Sequence, residues 1–376
     1  MAIPLSRLIC FSTTLIMFIG AGSALGQHDA GSAVAGGTIR TPAPGHRKAT
    51  RTPVEPQTAT ADSYYQQGEG LYNAKHYDEA LEFYLKATRK NPALASAWYR
   101  IGWIYNERGK FELAIDPLTR VTSAQRNNAP ASFELAYAYR KLERFNDALA
   151  EFRRTLSINP DYVGAHFQLG WIHNEERNYV EALRELQLAV KEKADYAEAH
   201  MEMGYALRNL GRFPEAIREY EESIRLNEQA GMAHLGLADV YYYGTKQYAD
   251  AAVEYKRGLE LRPNNATAQY NLGWCYNDAQ QFSEAEAALR KATQLRPEYA
   301  EAYNELGYAL HQLKRYQDAI VAYKNAIKNK ANYGSAHYNL GMSYVAINDR
   351  NAALAEYQVL LQMDPTRAEK LRQSIK

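Results

Sequence analysis

The sequence repeats itself. Between residues 61 and 367 one pattern of small, aromatic and aliphatic residues returns nine times, at an interval of 34 residues except for a single copy of 35. A unit that short cannot enclose a core of its own, so a chain built this way buries apolar surface by stacking each copy on the next. The copies run 61–94, 95–128, 129–162, 163–196, 197–230, 231–265, 266–299, 300–333 and 334–367.

The seventh copy shows the unit clearly. Leu272, Gly273 and Tyr276 fall on one side of a first predicted helix, and Phe282, Ala285, Leu289 and Ala292 on one side of a second. Ala279, Gln280 and Gln281 allow a tight turn between them, and Pro297 closes the second helix. The unit is a helical hairpin whose outer faces need neighbours. In phase through all nine copies, Gly or Ala stands at 68, 102, 136, 170, 204, 238, 273, 307 and 341. A second-helix alanine stands at 80, 114, 148, 182, 216, 251, 285, 319 and 353.

This pattern resembles the tetratricopeptide repeat. The family motif W-x2-L-G-x2-Y, A-x3-F, P is met by Trp98, Ile101-Gly102, Tyr105, Ala114 and Leu118. It is met again by Tyr303, Leu306-Gly307, Leu310, Ala319 and Tyr323. The resemblance covers the whole repeated body and implies an all-α, right-handed superhelical solenoid with a concave face lined by first helices. Departures are local. The closing proline gives way to Arg126, Ala194, Glu228 and Ala331, Pro117 falls inside a second helix where a kink is expected, and the sixth copy carries an extra residue around Tyr243-Gly244-Thr245. Residues 368–376 read as a short tail or partial cap that leaves the last apolar face partly open.

Upstream, residues 1–26 read as a secretory signal, with Arg7 ahead of an apolar run and small residues at 22–26 suited to cleavage. An uncleaved membrane anchor is the alternative; Cys10 lies too early for a lipoprotein. Residues 27–60, punctuated by Pro42, Pro44, Pro53 and Pro56, read as a disordered linker. The chain is therefore expected outside the cytoplasm, in the periplasm or secreted. Lys and Arg total 44 against 43 Asp and Glu, a net charge of +1, so no global field favours nucleic acid. Cys275, alone once the leader is set aside, reads as a buried structural thiol.

The candidate site is a second stripe on each first helix. Its middle position carries Trp or Tyr in six copies: Trp103, Tyr137, Trp171, Tyr205, Trp274 and Tyr308. Three residues later stand Asn106, Arg140, Asn174, Arg208, Asn277 and His311, and four residues earlier stand Tyr99 and Tyr270. Trp pairs with Asn, and Tyr with Arg or His, in alternating copies as a duplicated two-repeat unit would leave them. Rings on a face that packing leaves open argue for a binding surface. With amide and guanidinium donors between them, they suit a protein or extended peptide, with a polysaccharide as the alternative ligand. Envelope assembly or secretion is the expected setting, close to membrane complexes. His166, His200, His234 and His337 take a packing position of the motif, so no metal is expected. No nucleophile elbow, phosphate loop, HExxH or CxxC is present, and the reading is a non-enzymatic scaffold without cofactors.

Overall fold

The computed structural model describes residues 59–375, so the expected signal, residues 1–26, and nearly all of the expected linker, residues 27–60, lie outside the described residues. Each copy forms two helices, A then B. The first three pairs are α1 and α2 (Ala61–Asn73, Tyr77–Lys90), α3 and α4 (Ala95–Glu107, Phe111–Ala124), and α5 and α6 (Ala129–Lys141, Phe145–Ile158). The next three are α7 and α8 (Val163–Glu175, Tyr179–Glu192), α9 and α10 (Ala197–Asn209, Phe213–Leu226), and α11 and α12 (Gly231–Asp239, Tyr248–Leu261). The last are α13 and α14 (Ala266–Asp278, Phe282–Leu295), α15 and α16 (Ala300–Gln312, Tyr316–Asn329), and α17 and α18 (Gly334–Ala346, Arg350–Met363), followed by α19 (Pro365–Ser374). The pairs stack as a right-handed superhelical solenoid.

Two local devices set each hairpin. Every A–B turn places one residue in the left-handed region, Gly109 and Gly211 in two turns and Lys75, Glu143, Arg177, Lys246, Gln280, Lys314 and Asn348 in the others. The small residue on helix A then lets a large B side chain lie directly over the backbone. A methyl group built on Gly102 would sit 2.4 Å from Leu118 Cγ, and one on Gly307 would sit 2.6 Å from Tyr323 Cε1. The covering residues Tyr84, Leu118, Phe152, Leu186, Tyr220, Tyr255, Leu289 and Tyr323 are the large, fully or almost fully buried side chains of the core. This layer runs through the first eight repeats, each adding one large side chain to it.

Neighbouring A helices also touch one another, as α3 touches α5 and α13 touches α15, while the B helices are held further apart. The A helices therefore form the inner, concave wall. The predicted packing histidines lie inside the hairpins: Nδ1 of His166, His200, His234 and His337 is 2.6–2.7 Å from a B-helix glutamate, Glu185, Glu219, Glu254 and Glu356 in turn. Cys275 is 1% exposed, and burial pushes its thiol up to about 12.

Three features differ from the sequence-based expectation or sharpen it. The extra residue of the sixth copy is absorbed by a π-helical segment, Val240–Thr245, which widens the end of α11 before the turn. Helix α4 runs unbroken through the buried Pro117. The C-terminal segment is a ten-residue helix, where a short tail and a partly open face were expected. Asp364 caps α19 by accepting from Arg367 N at 3.0 Å, and Ala368 and Leu371 are fully buried. Leu371 Cδ2 lies 2.4 Å from where a methyl on Gly341 would be, so α19 covers the last A helix. The capping face needed only two apolar residues one turn apart, too short a period to register as a helix.

Candidate ligand groove

The stripe aromatics are half-buried, and packing uses them. All six meet the first residue of the preceding B helix, five of them edge-on, as Tyr137 does on Phe111 (6.2 Å between ring centres), Tyr205 on Tyr179 (6.2 Å) and Tyr308 on Phe282 (6.1 Å). Trp171 lies 6.3 Å from Phe145, and Trp103 is wedged between Tyr72 and Tyr77 at 5.1 and 5.5 Å. Trp274 meets Tyr242 and Tyr248 at 5.1 and 4.8 Å. One edge of each ring thus joins two repeats while the remainder faces the concave side. The partner aromatics at the start of helix B recur in phase as Tyr77, Phe111, Phe145, Tyr179, Phe213, Tyr248, Phe282 and Tyr316, the sequence signal that pairs with the stripe.

The earlier stripe position packs against the loop that precedes the next repeat, with Tyr270 against Tyr299 at 5.0 Å and Phe133 against Tyr162 at 4.9 Å. Tyr99 is half-buried, and burial pushes its hydroxyl up to about 12.

The asparagines are not groove donors. Asn106, Asn174 and Asn277 are 5%, 2% and 3% exposed, and each Nδ2 donates to both the carbonyl and the carboxylate of a glutamate on the next A helix. The partners are Glu134 (2.9 and 2.8 Å), Glu202 (3.0 and 2.8 Å) and Glu305 (3.1 and 3.1 Å). A buried amide left unpaired is costly, so these side chains latch repeat to repeat. The constant separation of 28 residues between each Asn and its Glu was the available sequence signal. Burial pushes Glu202 up to about 7 and raises Glu134 as well.

The alternating copies solve the same joint with cations or a histidine. Arg208 Nη1 donates to Asp239 Oδ2 at 2.6 Å, and Tyr255 OH donates to the other oxygen at 2.6 Å. That network continues through Asn271 to Tyr243, across the π-helical segment. His311 Nδ1 lies 2.9 Å from Ser343 Oγ, and burial lowers its pKa. Arg140 differs. Its guanidinium carbon is 4.6 Å from the Trp171 ring and 5.3 Å from the Tyr137 ring, yet Nε has no hydrogen-bond partner. Of the predicted residues, the structure therefore gathers Tyr137, Arg140 and Trp171 into one station on the concave wall. Tyr205, Arg208 and the His311 pair each serve their own joint.

The tetratricopeptide repeat model matches residues 65–130, 133–198, 201–265, 241–293 and 278–333, and a second model of that description matches 334–367. Among solved structures, the chain is similar to pilF of Pseudomonas aeruginosa, with 22% identity over 55% of this chain and 94% of that one and a TM-score of 0.51. It is also similar to the C-terminal part of a TPR repeat-containing protein from Cytophaga hutchinsonii, with 16% identity, coverage of 64% and 99%, and a TM-score of 0.51. At these identities the likeness is one of fold. The search of curated proteins returned no match. With family models matching from residue 65 to 367 and a helix pair in every copy, the chain belongs to the tetratricopeptide repeat family.

Proposed function

We propose that this protein is a non-enzymatic, extracytoplasmic scaffold that holds an extended peptide segment of a protein partner in its concave groove. The observation that carries the reading is the station at Arg140: a guanidinium between two rings on the inner wall, held in no ion pair among the described residues. A half-buried guanidinium with no carboxylate partner keeps a charge that an incoming acceptor can match. The half-exposed ring edges above and below it offer apolar contact between those polar points. A polysaccharide is the weaker candidate, because the asparagine amides it would have needed are already engaged by Glu134, Glu202 and Glu305. The placement outside the cytoplasm, with a role in envelope assembly or secretion, rests on the signal-like residues 1–26.

Photo-crosslinking tests the groove in the native host. A benzophenone amino acid at Tyr308 should trap a polypeptide, and one at Val321, which is 60% exposed on the outer B helices, should not. Crosslinks from Val321 alone would refute the groove. N-terminal sequencing and fractionation test the location, and an uncleaved chain in the cytosol would refute it.

A further inference from the structure

Helices α3, α5 and α7 end on Glu107, Lys141 and Glu175, the same position in three successive repeats. An acid at a helix C-terminus is placed against the macrodipole, and a local conflict of this kind needs a compensating purpose. None of the three side chains is held in an ion pair among the described residues. The lysine does not stand alone: Lys141 Nζ is 5.4 Å from the Tyr137 ring and Arg140 Cζ is 5.3 Å from it, so two cations share one ring. Burial first, and then the charge of Arg140, pulls the Lys141 ammonium below its ordinary value. Burial raises the Glu175 carboxyl, with Arg140 opposing. The other acids facing this station, Glu134 and Glu202, are taken up by Asn106 and Asn174. The other two A-helix arginines of the first five repeats with a joint role have carboxylates of their own, Arg100 on Glu69 at 2.8 Å and Arg208 on Asp239 at 2.6 Å.

Resting on the groove reading above, we propose that the second to fourth repeats read the charge order of an extended peptide. An acidic side chain sits against Arg140 and Lys141, with a basic side chain on each flank against Glu107 and Glu175. Packed helices stand about 10 Å apart, and an extended chain advances about 3.3 Å per residue. The matching ligand therefore carries its charges three residues apart, in the order basic, acidic, basic. Opposite charges supplied at these points pair with Arg140 and Lys141 and set a register that rings alone cannot, since aromatic contacts tolerate sliding.

Fluorescence anisotropy with the full chain decides the matter. The probes are two labelled peptides of one composition, Lys-Ser-Ala-Glu-Ser-Ala-Lys and its permutation Glu-Ser-Ala-Lys-Ser-Ala-Lys. The first should bind roughly fivefold more tightly or better, as expected of three partly exposed charge pairs acting together. Lys141→Glu, with helicity checked by circular dichroism, should abolish that preference. A smaller ratio, no binding by either peptide, or a preference that survives Lys141→Glu overturns the charge reading. Crosslinking from Tyr308 would stand in any of those cases if the groove binds by other chemistry, so the two proposals fail separately.

Discussion

Helix α1 holds two glycines two residues apart, and the solenoid predicts opposite outcomes for changing each to alanine. At Gly70 a methyl group would meet nothing within 4 Å, so Gly70→Ala keeps only the helix-propensity gain of about 1 kcal/mol. At Gly68 the same methyl would lie 2.7 Å from Tyr84 Cε1 and 2.9 Å from Cδ1. Tyr84 is fully buried and cannot swing aside freely, because its hydroxyl donates to Glu69, which in turn accepts from Arg100 Nε at 2.8 Å. Overpacking of this kind costs about 1–3 kcal/mol. The propensity gain is common to both variants, so their difference isolates the packing cost. Repeat arrays unfold locally, and the readout is hydrogen exchange in peptides from α1 and α2. Gly70→Ala should slow exchange and Gly68→Ala should speed it relative to Gly70→Ala by roughly 5- to 150-fold, the range that ~1–3 kcal/mol implies. Equal slowing by both would refute the claim that the small residue exists to admit the B-helix ring.

Three further outcomes follow from the same contacts. His200 and His337 have an acceptor on each ring nitrogen, Glu219 or Glu356 at Nδ1 (2.7 and 2.6 Å) and the Ala194 or Ala331 carbonyl at Nε2 (3.2 and 3.0 Å). The glutamate hydrogen bond raises both pKa values, so the stabilisation is full below the ordinary histidine value and is lost as pH rises through the raised folded value. Urea midpoints should fall as pH rises above the ordinary histidine value of about 6.5, less steeply in His200→Gln; a flat or rising profile contradicts the pairing. Glu202, raised to about 7 by burial, works in the same direction, and Glu202→Gln should lift the midpoint above neutral pH while leaving it unchanged near pH 4, where both forms are neutral. Ending the chain after Arg367 removes the buried Ala368 and Leu371, and should speed exchange in α17 and α18 and create dye-binding apolar surface, with the central repeats unaffected.

The repeat unit was legible in the sequence because everything that makes it lies within one hairpin. The glycine or alanine on helix A, the alanine on helix B and the turn between them act over 12 residues or so, at spacings fixed by the helical period. The histidines could be placed inside the hairpin for the same reason. The tyrosine and tryptophan stripe was legible as a row, but not its double duty. Whether Trp103 stands free or wedges between Tyr72 and Tyr77 depends on how far one repeat is rotated on the next.

What the sequence by itself determined is the architecture: nine helical hairpins in one register, with their small residues aligned so that they must stack. Only the tertiary structure decided which polar groups remain free. Asn174 and Arg140 occupy equivalent positions one repeat apart, and nothing local separates a latch from an unlatched side chain. The difference lies 28 residues on, where Glu202 reaches Asn174, while Arg140 meets the Trp171 ring across its own joint. Hydrogen bonds and ion pairs hold over only a few ångströms, so their assignment waits on the packing that brings distant residues within reach.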